Sequence, residues 1–283
     1  MNEKALLFGE SKSLVGVVTD PEPGAGPGHR PGVIILNAGA LHRVGPNRLH
    51  VRLARALAEA GFVVLRFDLS GIGDSRRRDG SESFARSAVQ EGQQAMDFLS
   101  ESRGIERFML FGICSGADNG LQVAYRDLRV VGAVLIDGYN LPSLGRLLHF
   151  YRSRLLSARS WGRFLIGRSQ TWSLFRSMAS ARKADRGAES AEETILPTRL
   201  ELLALLRSIA DRGVDLLLVY TGASPAYYNY RKLLHRSLRS WPSRERVRVE
   251  HFEDSDHLFT LLCNQRRLVD LVTAWAARVG PAP

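Results

Sequence analysis

Phe108-Met-Leu-Phe-Gly-Ile-Cys-Ser-Gly-Ala-Asp118 is the stretch whose reading decides the fold. Its apolar start predicts a buried strand, Gly112-Ile113-Cys114-Ser115-Gly116 forms a tight turn, and a helix begins near Ser115. Strand, turn and helix with a glycine two residues either side of a nucleophile make a G-x-nucleophile-x-G elbow. The glycines are needed because the apex residue sits on a strained turn and neighbouring backbone comes very close. Only Cys114 lies two residues from both Gly112 and Gly116, so Cys114 and not Ser115 takes the apex. Its side chain then projects above the sheet at a helix N-terminus. That position favours a thiolate and offers the Ser115 backbone N–H to a developing oxyanion. A small buried thiol on a tight turn is the plain alternative.

Outward from the elbow, short β-rich runs alternate with helical patterns, which predicts a mostly parallel twisted sheet flanked by helices. Strands are expected at Ala5–Phe8, Ser13–Thr19, Val33–Leu36, Phe62–Phe67, Phe108–Phe111, Val130–Ile136, Val214–Thr221 and Val247–Phe252. Leu49, Leu53 and Leu57 recur at helical spacing, Phe84–Leu99 reads as a second helix, and Leu258–Val279 as a closing one. Gly71-Ile-Gly73-Asp-Ser75 lacks the third glycine of a dinucleotide-binding turn and reads as a structural turn. From about residue 140 to 212 the strand pattern stops. Aromatics such as Trp161 and Trp172 stand there among arginines, and Thr198-Arg-Leu-Glu201 reads as a capping box. The predicted organisation is a core of residues 1–139 and 213–283 with a helical, basic lid insertion at 140–212.

The 283 residues carry a net charge of +10, and the excess is local. Arg146 to Arg186 holds ten basic residues against Asp185 alone, and Arg231 to Arg248 holds seven against Glu245 alone. Such a surface would attract an anionic partner. The basic residues form no recognisable reading motif, so no nucleic-acid partner is expected. Two cysteines, Cys114 and Cys263, make neither a disulfide scaffold nor a zinc site. No apolar run approaches the ~18 residues of a membrane span, and the first residues lack the layout of a secretory signal. The expectation is a reduced, cytoplasmic protein without metal or cofactor.

The chain resembles the α/β hydrolases, especially their serine-aminopeptidase-like branch, over nearly its whole length. The resemblance rests on Val33–Gly39, the turn FDLSGIGDS, the elbow, the insertion and His257. The run LHRVGPNRLHVRLARALAEAGFVVLRFDLSGIGDS is most similar to hydrolases of bacterial exosortase and polysaccharide systems. Some members of the superfamily, the dienelactone hydrolases among them, use cysteine at the elbow. The resemblance implies an oxyanion loop after the strand at Val33. Relatives read His-Gly there and this chain reads Asn37-Ala38-Gly39-Ala40, which leaves Gly39 and Ala40 both open as amide donors. His42 and Arg43, next in that loop, are candidates for lining the substrate entrance.

By the same resemblance His257, after the last strand and before the closing helix, is the general base. Relatives usually carry an Asp after the strand Val214–Thr221, but the chain reads Thr221-Gly-Ala-Ser-Pro225, with Ser224 near the expected carboxylate. Two repairs stay open. Asp137 ends the neighbouring strand, about 4.8 Å away in a sheet, and some relatives place the acid there. Otherwise a Cys–His pair ionises without an orienting acid. Asp254 and Asp256 read as solvated loop residues, and Cys263 as a core residue of the closing helix.

These readings imply acyl transfer through an acyl-cysteine, with Cys114 as nucleophile and His257 managing protons. A thiol suits thioesters, and an acyl-cysteine reacts faster with amines and thiols than with water, so hydrolysis and transfer are both open. The basic insertion would suit an acyl group carried on coenzyme A or an acyl carrier protein. The alternative is a non-catalytic binding protein on a hydrolase scaffold, favoured by the missing Asp after the penultimate strand.

Overall fold

The computed structural model describes residues 1–24, 30–78, 82–138, 199–222 and 237–279. The apolar runs pair into one eight-stranded sheet of order β1-β2-β4-β3-β5-β6-β7-β8. The strands are β1 (Asn2–Phe8), β2 (Leu14–Asp20), β3 (Gly32–Ile35), β4 (Val64–Phe67), β5 (Phe108–Ile113), β6 (Val130–Ile136), β7 (Asp215–Thr221) and β8 (Val247–Phe252). The β1–β2 and β2–β4 pairs are antiparallel, and the pairs from β4 through β8 are parallel.

Continuous apolar runs mark strands covered on both faces, and β3, β4 and β5 are buried at every residue. Alternate side chains enter opposite layers. Ile34, Leu110 and Leu218 join the layer formed with α2 (Phe84–Arg103), α3 (Ser115–Arg126) and α4 (Arg199–Asp211). Val33, Phe111 and Val219 join the layer with α1 (Leu49–Glu59) and α5 (Leu262–Ala276). Local chemistry sets the helix ends. Ser83 accepts the Arg86 N–H to cap α2, and Gly104, at φ 66°, closes it.

Register brings the site together. Ile113 lies opposite Ile136, Ile136 opposite Val219, and Thr221 opposite Phe252. The residues that follow β5, β6 and β8, and the last residue of β7, therefore gather at one edge, the carboxyl end of the parallel strands.

Two sequence expectations need correction. The closing helix begins at Leu262, not Leu258, because the Asp256 carboxylate accepts the N–H groups of Leu258 and Thr260 at 2.9 and 3.1 Å and makes a turn there. Cys263 is exposed, not packed in the core. With the helix starting four residues later, its buried stripe runs through Asn264, Gln265, Leu268 and Val272, and Cys263 faces outward. Of the expected lid, residues 140–198 and their capping box at Thr198 lie outside the described residues. The remaining part forms α4, whose Leu202, Leu206 and Ile209 pack in the core. No described helix is long and apolar enough to cross a membrane.

Candidate active site

Close packing explains the glycines of the elbow. A Cβ on Gly112 would stand 2.1 Å from the Gly116 carbonyl oxygen, and one on Gly116 would stand 2.4 Å from that of Asn37. Between them Cys114 adopts φ 58° and ψ −126°, a conformation L-residues rarely take. The turn is held by its own backbone. The Cys114 N–H donates to the Ile136 carbonyl at 2.9 Å, and the Cys114 carbonyl accepts from Ala117 and Asp118, the first turn of α3. The thiol is exposed beside the Ser115 N–H.

Asp137, one residue past β6, is also left-handed, at φ 48°, and 7% exposed. Its backbone N–H donates to the Val219 carbonyl at 3.0 Å, which ties it to β7. Its Oδ2 accepts His257 Nδ1–H at 2.8 Å. With Nδ1 so occupied, Nε2 of His257 is left for the Cys114 thiol, and each of the two groups shifts the ionisation of the other. The bond to Asp137 and then the bond to Cys114 push the His257 pKa up to about 10. The His257 bond, helped by the Ser115 N–H, holds the Cys114 thiol below its ordinary value of 9.0 against the cost of burial. The arrangement favours a thiolate–imidazolium pair.

The loop after β3 supplies a second side to the site. Leu41 N–H donates to the Ala38 carbonyl at 3.1 Å and folds Gly39 and Ala40 into a turn. Of the two amides, that of Gly39 reaches the elbow, donating to Ser115 Oγ at 2.9 Å. Asn37, buried to 1% exposure, pins the loop from below. Its Oδ1 accepts Leu69 N–H at 2.7 Å, and its Nδ2 donates to the Leu41 carbonyl at 2.8 Å and to Asp68 Oδ1 at 3.3 Å.

His42 and Arg43 are engaged with the turn that follows β4. The Arg43 guanidinium donates to the carboxylates of Asp68 and Asp74, and its backbone N–H donates to Asp68 Oδ1 at 2.5 Å. His42 Nε2 lies 3.2 Å from Asp74 Oδ2. Among the described residues, His42, Asp68 and Asp74 form the one group with the chemistry of a metal site. Arg43 already bridges its two carboxylates.

Cys114, His257, Asp137, Ser115 and Gly39 thus meet at one sheet edge, while His42 and Arg43 lock the neighbouring loop. Ser224 lies outside the described residues. Two contributors carried no signal in the sequence reading. Asn37 fills a position where relatives were expected to read His, and Thr221 was seen only as the end of a strand. An apolar pocket lined by Leu121, Leu135, Leu202, Leu206, Leu218 and Tyr220 opens beside Gly138.

No curated protein matches the sequence. Solved structures resemble it over nearly its full length. A proline iminopeptidase of Mycobacterium smegmatis shares 16% identity at TM-score 0.62, covering 98% of each chain. An esterase of Pyrococcus furiosus shares 14% at TM-score 0.60, covering 98% of this chain and 92% of that one. A dienelactone hydrolase of Anabaena variabilis shares 14% at TM-score 0.58, covering 98% and 97%. At these identities the likeness is one of fold. The sequence profile of the alpha/beta hydrolase family matches residues 15–271, and on that match, with this sheet and elbow, the chain belongs to the alpha/beta hydrolase family.

Proposed function

We propose that the protein is an acyl-transfer enzyme with a cysteine nucleophile, acting on an activated ester or thioester. The observation that carries this reading is the 2.8 Å bond between His257 and Asp137, with the imidazole acting on the Cys114 thiol at the apex of the elbow. It also counts against a non-catalytic binding protein, since that alternative rested on a missing acid. The solved relatives bear the names of hydrolytic enzymes, an iminopeptidase, an esterase and a dienelactone hydrolase, and support bond cleavage with water as one outcome.

In the proposed reaction Cys114 Sγ attacks the carbonyl carbon, and the carbonyl π electrons move onto oxygen. The Ser115 amide holds that oxyanion, joined by the Gly39 amide as it exchanges its bond to Ser115 Oγ for the substrate oxygen, a role in which a single donor is worth roughly 10²–10³ in rate. Collapse of the adduct breaks the bond to the leaving thiolate or alkoxide, which takes the His257 proton and departs. The acyl-cysteine then meets water, a thiol or an amine, whose proton passes to His257 as it attacks. A second collapse releases the acyl product and restores the thiolate. Asp137 keeps Nδ1 protonated and steadies the imidazolium throughout.

The finer readings belong to the same proposal: a member similar to exosortase-system hydrolases, with a reduced thiol in the cytoplasm and a core of residues 1–139 and 213–283. Its insertion, 140–212, carries arginines suited to a phosphorylated carrier such as coenzyme A or an acyl carrier protein. Intact mass after exposure to a panel of acyl thioesters and aryl esters tests the reading. The expected result is one acyl mass on Cys114, absent from Cys114→Ala. Turnover retained in Cys114→Ala would overturn it.

A further inference from the structure

Neither oxygen of the Asp137 carboxylate is left to solvent, and His257 accounts for only part of its bonding. Thr221, the last residue of β7, donates to it twice. Its backbone N–H reaches Oδ1 at 2.9 Å, and its hydroxyl reaches Oδ2 at 2.6 Å, the oxygen that also faces His257. An ionised carboxylate only accepts, so the direction of the hydroxyl bond is fixed. Thr221 is fully buried in the parallel sheet, where valine would serve the packing equally well. Only the hydroxyl distinguishes threonine there, and that hydroxyl points at Asp137.

From the two bonds of Thr221 to the Asp137 carboxylate, we infer that Thr221 is the positioning residue that lets the end of β6 supply the acid. The inference rests on the acyl-transfer reading of the same site. Asp137 has a left-handed backbone, φ 48°, and a carboxylate free to rotate would not keep facing Nδ1. Val219 holds its backbone and Thr221 both of its oxygens, so β7 fixes the carboxylate from two directions. β7 therefore contributes donors where relatives were expected to contribute the carboxylate itself.

The test uses Thr221→Val and Thr221→Ser in the full chain, with two readouts. Turnover of an aryl ester should fall roughly 10- to 100-fold in kcat for valine, the scale of one hydrogen bond to a charged group, with KM unchanged because Thr221 is buried below the site. The pH dependence of Cys114 alkylation by iodoacetamide, mapped on the Cys114 peptide, should move to higher pH by about one unit. A carboxylate free to rotate holds the imidazolium less closely, and the thiolate paired with that imidazolium is then less favoured. Asp118, the other charge acting on Cys114, is untouched in both variants. Serine should restore both readouts. A folded valine variant with wild-type kcat and wild-type alkylation profile would overturn the inference. So would serine and valine variants shifted alike, since packing would then be the role of Thr221. If the valine chain fails to fold, Thr221→Ala replaces it, and alanine must be shifted where serine is not. Alkylation requires no turnover, so an absent acyl-cysteine would remove the acyl-transfer reading while this result stood apart.

Discussion

Cys114 and Cys263 are both exposed, so a difference in their reactivity measures ionisation and not access. The His257 bond holds Cys114 below its ordinary 9.0, whereas Cys263 Sγ lies 3.8 Å from the amide oxygen of Asn264. Alkylation by iodoacetamide at pH 7 should therefore be faster at Cys114 by at least ~10-fold. Equal rates at pH 7 would mean that the thiolate–imidazolium pair does not form. The rate profile follows from the same two shifts. The pair exists above the depressed ionisation of Cys114 and ends where His257, raised to about 10, releases its proton. Turnover should rise with an apparent value below 9 and fall near pH 10, both values belonging to the coupled pair. At this scale much was legible in the sequence. The glycines flanking Cys114 and the position of His257 in chain order point to their meeting, and the adjacency of strands points to Asp137. Thr221 was not legible, because its role depends on which β7 residue lies beside Asp137, and strand register is not written in composition.

The loop after β3 and the turn after β4 form a single mechanical unit. Asn37 joins them through Leu69 and Asp68, Arg43 bridges Asp68 and Asp74, and Gly39 at the tip faces Ser115. Removing the Asn37 amide leaves the Leu69 N–H buried without its partner and the Leu41 carbonyl without the Nδ2 donor. Asn37→Ala should cost about 1–3 kcal/mol of stability for those orphaned groups. It should also lower kcat roughly 10-fold, less than the loss of an oxyanion donor itself, because the Gly39 amide is loosened but present. Thermal unfolding and ester kinetics on one preparation check both effects. A stability loss with kcat unchanged would show that the loop needs no anchor to place Gly39. Element positions were mostly legible, since strands alternating with amphipathic helices fix which runs pair. Where the sequence misled, a polar side chain had taken over the backbone. Asp256 captures two N–H groups that α5 would otherwise have begun with, and the delayed start turns Cys263 outward.

Across the whole molecule two histidines pull stability in opposite directions with pH. His50, in α1, is 1% exposed. It packs edge-on to Phe111, with ring centroids 5.8 Å apart, and against Gly45. Its burial depends on how the Gly45 turn covers the start of α1, a packing outcome that no local pattern encodes. Burial, aided by the positive charge of Arg66, pushes its pKa down from 6.5 to about 3. The folded chain therefore refuses a proton that the unfolded chain accepts, and the contribution of neutral His50 is present above pH 6.5 and lost as pH falls toward 3. His257 acts the other way. Its raised pKa gives a contribution complete below 6.5 and lost as pH climbs toward 10, partly offset by the lowered Cys114. The two effects separate by substitution. His50→Leu keeps an apolar side chain of comparable bulk and removes the titration, so its urea unfolding should depend less on acid than that of the wild type. Each pH unit below 6.5 is worth about 1.4 kcal/mol, so the difference between the two chains should shift by roughly 2–3 kcal/mol from pH 7 to pH 4.5 in favour of the variant. Because the variant also alters packing, the change in that difference with pH is the measurement, not its size at either pH. Parallel stability curves over that range would mean that His50 takes up its proton in the folded state, by opening the turn at Gly45.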